Sequence, residues 1–436
     1  MTERLDVIEV MLWGRRIGAA RWDDATHSAV YEYDPAMLKS GIEVSPLRLP
    51  LGHGQFRFPE LVRSGFRGLP GLLADSLPDS FGNAVIDRWL ASRGRDAASF
   101  SPIERLCYVG SRGMGALEFQ PAVRRRDEAV PIEMSELVQL AATIQADREG
   151  FHSELGEGDD EHREALEDIL RVGSSAGGAR AKAVVAWNAQ TGQLLSGQVA
   201  APEGFEHWLL KFDGVHQRDR ELADPAGFGR IEYGYHLMAL DAGITMSPSR
   251  LLHENGRSHF MTRRFDRGPQ GEKRHMQTLC ALGHFDFQLA GAHSYEQALI
   301  AMQTLRLPVP QLTELYRRML FNLIARNQDD HTKNIAFLMD KQGEWSLSPA
   351  YDLTFAYNPK GDWTGAHQMT VAGKRDSFSR DELLEVGRTF GIPRPAQVLE
   401  RVAETVRRWP SFAEQAGVDE ARCNAIKNQQ RLELAR

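Results

Sequence analysis

The sequence predicts an α+β fold of two lobes, with a β-rich N-terminal subdomain and a mostly helical C-terminal lobe. Three observations support this prediction. Strand-like runs with turn residues between them open the chain at Val7–Trp13, Ile17–Trp22 and Ala29–Tyr33. Apolar residues recur at helical spacing in Ser294–Arg306 and Pro310–Asn327. The stretch from 379 to 436 is again mostly helical in pattern.

Composition and charge limit the class of protein. The 436 residues are 42% hydrophobic and 25% charged, which is typical of a globular chain of two or three domains. No apolar run reaches the roughly 18 residues that span a membrane, and the N-terminus lacks a secretory pattern, so we expect a cytoplasmic protein without membrane contact. The three cysteines are far apart, which favours buried thiols. A net charge of −7 argues against nucleic-acid binding by the whole chain.

A Gly-rich segment precedes a predicted buried strand in the middle of the chain. The run Ser174–Gly178 comes before Lys182, and Ala183–Trp187 follows as the strand. Glycines let backbone N–H groups approach phosphates closely, and a nearby lysine adds positive charge. The spacing is not that of a Walker A loop, and a plain glycine turn explains the segment equally well.

A single lysine interrupts the next apolar strand. Lys211 lies in His207–Phe212, where an ammonium group costs free energy unless it is paired. In protein kinases such a strand lysine contacts the ATP phosphates and pairs with a helix glutamate. Glu232, in the predicted helix Phe228–Ala242, is the candidate partner. The alternatives are a lysine that extends to solvent at the strand end and a surface glutamate.

The richest polar stretch is Phe321–Thr354, which predicts a helix, an acidic loop, a short hairpin and a second acidic loop. A hairpin returns the chain to its start, so Asp352 is expected near Asp329 and Asn334. In kinase-like phosphoryl transfer the first Asp accepts the hydroxyl proton, and the Asn and the later Asp hold Mg²⁺. The five-position separation of Asp329 and Asn334 fits the kinase catalytic loop, although the HRD and DFG triplets are missing. The alternative is a polar helix-to-strand turn.

The motifs DDHTKN and LSPAYDL strongly resemble the HipA family of bacterial toxin kinases. The family signature is a D-x-H-x-K-N loop followed by a P-x-YD motif, and both are present. The stretch GLPGLLADSLPDSFG is similar to the N-terminal part of HipA proteins, and SSAGGARAK is similar to their loop over ATP. RRFDR resembles the hinge motif ERFDR, with Arg263 in place of the usual Glu. A backbone contact to adenine tolerates that change. The resemblance spans nearly the whole chain and implies a protein-kinase-like fold.

This resemblance also implies roles for individual residues. Asp329 matches the catalytic base, His331 and Lys333 match positions near the phosphates, and Asn334 and Asp352 match the Mg²⁺ ligands. The positions implied to contact ATP are Ser175, Ala176, Gly177, Gly178, Ala179, Lys182, Lys211, Arg263 and Phe265. Family members phosphorylate their own loop serine and thereby silence the kinase. Ser175 matches that serine, with Ser174 as the alternative one position away.

Four parts follow from the same resemblance: a β-rich N-terminal subdomain (1–125), an acidic helical connector (126–165), a nucleotide-binding part with the Gly-rich loop and hinge (166–268) and a helical catalytic lobe (269–436). The implied function is an ATP-dependent serine/threonine protein kinase that acts as the toxin of a toxin–antitoxin pair. Its expected substrate is a translation component such as an aminoacyl-tRNA synthetase. The expected partner is a small helix-turn-helix antitoxin of HipB type, through which alone DNA is contacted. The alternatives are a kinase of a non-toxin or small-molecule substrate and a non-catalytic nucleotide-binding co-repressor.

Overall fold

The structure is a computed structural model that describes residues 5–122, 133–141, 181–197, 201–215 and 227–436, apart from positions 63, 79, 93, 97–98, 136, 139–140 and 270. The predicted Gly-rich loop, Ser174–Ala179, and most of the predicted acidic connector therefore lie outside the described residues. No helix within the described ranges has the length and apolar character needed to cross a membrane.

The N-terminal subdomain is built on an antiparallel five-stranded sheet in the order β4-β3-β2-β1-β5. Its strands are β1 Val7–Leu12, β2 Arg15–Asp23, β3 Ser28–Tyr33, β4 Gln55–Phe56 and β5 Leu117–Gln120. The two-residue turn between β1 and β2 uses Trp13 and Gly14, both at positive φ, which suits the right-handed twist of a hairpin. Helices α1 Pro35–Leu38, α2 Gly71–Ala74 and α4 Pro102–Val109 share the apolar core of this sheet, whereas α3 Ser80–Ser92 packs Ile86 and Leu90 into the core of the sheet described next.

A second antiparallel five-stranded sheet follows in the order β7-β6-β8-β10-β9. Its strands are β6 Lys182–Trp187, β7 Leu194–Ser196, β8 Glu206–Lys211, β9 Ser249–Glu254 and β10 Arg257–Arg263. Helix α5, Phe228–Asp241, packs against β9 and β10. The Asp213 carboxylate accepts the backbone N–H groups of Gly227 and Gly229 and so fixes the start of α5. This cap sets the position from which α5 presents its side chains to the sheet.

The C-terminal lobe is mostly helical. It contains a three-stranded sheet of β11 His275–Thr278, β12 Ala336–Met339 and β13 Trp345–Leu347, in that order. Its helices are α6 Leu279–Gly283, α7 Tyr295–Thr304, α8 Val309–Ala325, α9 Arg380–Thr389, α10 Pro395–Arg407, α11 Trp409–Gln415 and α12 Glu420–Lys427. The second half of α8 is buried on all sides, and the helix ends just before the motif DDHTKN.

The predicted α+β class, with a β-rich N-terminal part and a helical C-terminal part, is confirmed. The sequence SHFMTRRFDR predicts a strand over Ser258–Arg267, and this prediction is too long, because β10 ends at Arg263. The chain leaves the sheet there because Arg264 and Arg267 both turn to the buried Asp266 carboxylate, at 2.7 and 2.8 Å. The two guanidinium groups hold the pKa of Asp266 well below its usual range, although burial opposes this.

The Asp266 cluster also fastens the N-terminal subdomain to the segment after β10. Asp266 accepts the backbone N–H of Gly115 at 2.7 Å, and Arg264 and Arg267 donate to the Gly113 carbonyl at 3.2 and 3.0 Å. The loop before β5 is thereby held beside the cleft described below. Buried ion clusters of this kind fix a geometry more clearly than they add stability.

Candidate active site

An open cleft lies between the second sheet and the loops that flank the β12–β13 hairpin, and its empty space is about 1100 Å³ with open solvent included. Its walls carry the predicted site residues Lys211, Glu232, Lys333, Asn334 and Asp352. The N-terminal subdomain adds a third wall through the segments around residues 75–77 and 114. Clefts with a mainly apolar lining and a few convergent polar groups are the usual form of ligand sites.

The central feature of the cleft is an ion triple around one lysine. The Lys211 ammonium, at the end of β8, donates to the carboxylates of both Glu232 and Asp352. The Lys211 and Glu232 side chains are only 10% and 2% exposed, so these charges compensate each other away from water. Burial lowers the pKa of Lys211, but the two carboxylates outweigh it and raise the pKa above its ordinary value. The structure therefore contains the Lys211–Glu232 pair that the sequence predicted.

Asp352 is held in an unusual backbone conformation at the edge of this triple. Its φ of 54° lies in the left-handed region, and Asn327 donates to its carbonyl at 3.2 Å. The preceding Tyr351 hydroxyl donates to the Lys333 carbonyl at 2.5 Å, which ties the two loops together. Burial opposes ionisation of Asp352, but the charges of Lys211 and Lys182 lower its pKa below the ordinary value. An ionised carboxylate is thus directed into the cleft beside Asn334.

The loop with the predicted catalytic base is closed on itself. Asn334 donates its side-chain amide to the backbone carbonyl of Asp329 at 2.8 Å, five positions back. The Asp329 side chain is 46% exposed, so a ligand can reach its carboxylate. His331 Nε2 lies 3.9 Å from Asp329 Oδ1, and the Trp363 indole donates to the same oxygen at 2.6 Å. The geometry suits a proton acceptor next to the cleft.

The neighbouring carboxylate, Asp330, faces the opposite way. It accepts hydrogen bonds from the Tyr295 hydroxyl at 2.9 Å, His367 Nδ1 at 2.9 Å and the Gln368 backbone N–H at 2.8 Å. Its side chain is 1% exposed. Asp330 therefore anchors the loop of Asp329 to the protein interior and to the chain beyond Asp352.

The two remaining motif residues, His331 and Lys333, both contact the ring of Phe287, and of the two it is Lys333 that lines the cleft. Lys333 Nζ lies 4.6 Å from the centroid of the Phe287 ring, and the His331 ring packs edge-on to the same ring at 5.4 Å. His331 also lies close enough to Asp352 for its positive form to favour the ionised carboxylate. Lys333 lines the cleft, and its ammonium group lies over the face of the Phe287 ring.

The predicted nucleotide contacts lie on the second sheet and just beyond it, as far as they are described. Lys182, on β6, pairs in register with Lys211 on β8 and is buried. Arg263 and Phe265 both line the cleft. The Arg263 side chain is directed to solvent, where it pairs with Glu206 at 2.8 Å, which agrees with a position that tolerates substitution. The predicted positions Ser175, Ala176, Gly177, Gly178 and Ala179 lie outside the described residues.

Two residues in or near the cleft were missed from the sequence. Asp75, after α2, is a half-buried carboxyl that accepts the backbone N–H and hydroxyl of Thr278 at 2.7 and 2.8 Å, and desolvation raises its pKa. It lies within the N-terminal stretch that resembles HipA proteins, so that motif was the available signal. Trp363 is 34 positions beyond Asp329 in an irregular loop, and no periodicity or spacing marked it. The sequence favours a hydrogen-bonded structural role for His284 over an acid–base role, and the structure agrees, since His284 Nε2 accepts the backbone N–H of Gly71 at 3.0 Å.

A strand lysine paired with a helix glutamate, facing an Asp–Asn loop and a later Asp, defines a protein of the kinase-like fold class. The chain belongs to the HipA family. The family model "HipA-like C-terminal domain" matches residues 174–431, and "HipA N-terminal domain" matches residues 8–120.

Two curated relatives come from Sinorhizobium fredii. The protein named "Putative kinase Y4mE" is 26% identical over 205 residues, which are 43% of this chain and 48% of that protein. "Putative kinase Y4dM" is 29% identical over 153 residues, 34% of this chain and 36% of that protein. The match thus spans about half or less of the length of each relative.

A solved structure shares the fold over nearly the whole chain. It is the HipA of Shewanella oneidensis MR-1 in complex with HipB and its operator DNA, with a TM-score of 0.68 and 19% sequence identity. The similarity covers 98% of this chain and 96% of that one. At this identity the likeness concerns the fold.

Proposed function

We propose that this protein is an ATP- and Mg²⁺-dependent serine/threonine protein kinase of the HipA type. The observation that carries the proposal is the Lys211 ammonium, which joins Glu232 of α5 to Asp352 in a cleft that also contains Asn334. Kinases need this lysine–glutamate pair in place together with the metal-binding Asp. The two curated relatives are each named "Putative kinase", which supports the same activity.

The residues of the cleft suit a magnesium–nucleotide complex. The Asn334 amide and the Asp352 carboxylate offer the hard oxygen ligands that Mg²⁺ prefers, and the lowered pKa of Asp352 keeps it ionised. Bound Mg²⁺ supplies charge neutralisation on the phosphates. Lys211, released from Asp352, would contact the phosphates while Glu232 keeps it oriented. Lys333 would add positive charge on the opposite side of the cleft.

Asp329 is the proposed proton acceptor. Its partly exposed carboxylate would accept the hydrogen bond of a substrate hydroxyl and take up its proton as the γ-phosphoryl is transferred. The bond between the β,γ-bridging oxygen and the γ-phosphorus breaks, and the hydroxyl oxygen forms the new bond to phosphorus. The chain contributes orientation and charge more than covalent chemistry.

We further propose the toxin role that the family resemblance implies. The substrate would be a translation component such as an aminoacyl-tRNA synthetase, and a small HipB-type antitoxin would be the partner. Assembly of the Shewanella oneidensis protein with HipB and operator DNA supports this choice of partner. Self-phosphorylation at Ser175, with Ser174 as the alternative, would silence the kinase.

The test is intact-mass analysis with peptide mapping after incubation with ATP and Mg²⁺. We expect one added phosphate near Ser175 in the native chain and none in Asp329→Ala. Asp381→Ala, an exposed carboxylate on α9, is the matched control and should behave as the native chain does. If no phosphate is found on the chain or on any protein of an added bacterial lysate, the proposed kinase activity is wrong.

A further inference from the structure

Trp363 makes a direct hydrogen bond to the proposed catalytic base. It lies in the irregular segment 357–368, downstream of Asp352, and its ring is half-buried. Its indole Nε1–H donates to Oδ1 of Asp329 at 2.6 Å. The Asp329 side chain remains 46% exposed, so a substrate hydroxyl can still approach the carboxylate while the indole is bound.

The backbone of Trp363 is in turn tied to Asp330, the buried neighbour of Asp329. The Asp330 carboxylate accepts the backbone N–H of Gln368 at 2.8 Å, and the Gln368 side-chain amide donates to the Trp363 carbonyl. Hydrogen bonds therefore connect Asp330 to Asp329 by way of Gln368 and Trp363. The His331 ring lies on the remaining side, with its centroid 6.5 Å from that of Trp363.

This arrangement restricts a side chain that would otherwise rotate. An exposed carboxylate on a loop samples several rotamers, and each one changes the distance to a substrate hydroxyl. A hydrogen bond to an ionised acceptor is among the stronger ones and also directional. The hydrogen bond to one carboxylate oxygen fixes the direction in which the other oxygen meets the substrate. This orientation matters because a misplacement of about 1 Å can cost on the order of 100-fold in rate.

We propose that Trp363 is a positioning residue, which orients Asp329 for proton transfer through its indole N–H. The proposal rests on the kinase function argued above. Trp363 does not line the cleft that would hold the nucleotide. Its contribution therefore falls on turnover and leaves ATP binding unaffected.

The kinetic test uses Trp363→Phe, which keeps an aromatic ring and removes the N–H donor. We expect the rate of self-phosphorylation at saturating ATP, followed by intact mass, to fall on the order of tenfold, with an unchanged half-saturating ATP concentration. Trp345→Phe is the matched control. Trp345 lies on β13, and its Nε1–H also donates a hydrogen bond, to the Glu43 carbonyl at 3.2 Å. That control should keep the native rate. A native rate in Trp363→Phe would overturn the proposal.

A second test does not depend on catalysis. The chain has eight tryptophans, so ¹⁵N-labelled indoles give eight N–H signals, and Trp363→Phe identifies one of them. We expect Asp329→Ala to shift that signal and to speed its exchange with water, while the Trp345 signal stays in place. An unmoved Trp363 signal would overturn the hydrogen bond and hence the inference. If the Trp363 signal shifts but the native chain transfers no phosphate, the hydrogen bond is present and the proposed kinase activity is wrong. The positioning role of Trp363 is then wrong as well.

Discussion

The ammonium group of Lys211 donates to the carboxylate of Asp352, although the two residues lie 141 positions apart. Lys211 belongs to the second sheet and Asp352 to the loop after β13, so the bond crosses the cleft. Glu232, on α5, accepts a hydrogen bond from the same ammonium group, so one cation compensates two carboxylates. In the proposed kinase, Asp352 would hold Mg²⁺ and Lys211 would bind the phosphates, so the Lys211–Glu232 pair would be the part of the triple that is kept.

Replacement of Lys211 tests how much this ion triple contributes to the free energy of unfolding. Lys211→Met leaves the 2% exposed Glu232 without its cation, and removal of one partner from a buried ion pair typically costs about 3–5 kcal/mol. We expect urea unfolding to show a loss of that order. Lys211→Met combined with Glu232→Gln should recover part of it, because the more deeply buried carboxylate is then neutral and the charge that remains is that of Asp352, whose side chain is 25% exposed. An unchanged midpoint in the single variant would contradict this account.

Asp352 is predicted to carry the metal dependence of nucleotide binding. Asp352→Ala removes the carboxylate, so titration calorimetry with ATP should show a much smaller difference between solutions with and without Mg²⁺. Binding without Mg²⁺ should be retained, since Lys211 then loses a competing carboxylate. Asp381→Ala serves as the control on the surface of α9. A Mg²⁺ dependence equal to that of the native chain would remove Asp352 from the metal site.

The fold and the Lys211–Glu232 pair could be predicted because their signals are local. Strand and helix patterns repeat every two or 3.6 residues, and a lone lysine in an apolar strand needs a partner. The length of β10 could not be predicted in this way. Arg264 and Arg267 leave the sheet for Asp266, and that cluster depends on carbonyl groups of the distant Gly113.

The site itself was predictable only as a set of motif positions. Sequence patterns place Asp329 and Asp330 side by side and cannot tell which one faces inward. That choice is made by Tyr295 and His367, which come from other elements and hold Asp330. Trp363 was missed for the same reason, because its contact with Asp329 joins two irregular segments that carry no periodic pattern.

The two adjacent carboxylates should therefore respond differently to the same substitution. Asp329→Asn should abolish phosphate transfer and leave the free energy of unfolding nearly unchanged, because its side chain is 46% exposed. Asp330→Asn replaces a buried carboxylate that accepts three hydrogen bonds, so we expect a loss of about 1–3 kcal/mol in stability. Urea unfolding and intact-mass assays on both variants compare the two effects. Equal stability losses would contradict the opposite orientations.

Stability should fall in mild acid because several histidines are buried in the neutral form. His275 is the clearest case: it is fully buried on β11, with Nε2 2.9 Å from the Val44 carbonyl, and burial lowers its pKa to about 4. In the unfolded chain its pKa returns to the ordinary value of about 6.5. Between these two values the unfolded state binds the proton more tightly, so this contribution is complete above pH 6.5 and is lost as the pH falls toward 4.

His275→Gln isolates that contribution. Within the window from about pH 6.5 to 4, one such histidine changes the free energy of unfolding by about 1.4 kcal/mol per pH unit. We therefore expect the loss of stability between pH 6 and pH 5, measured by urea unfolding, to be smaller in His275→Gln by about 1 kcal/mol. The comparison concerns the slope, so any constant cost of the glutamine cancels. His27→Gln, at an exposed position, should keep the native slope. A native slope in His275→Gln would show that His275 takes up its proton in the folded chain.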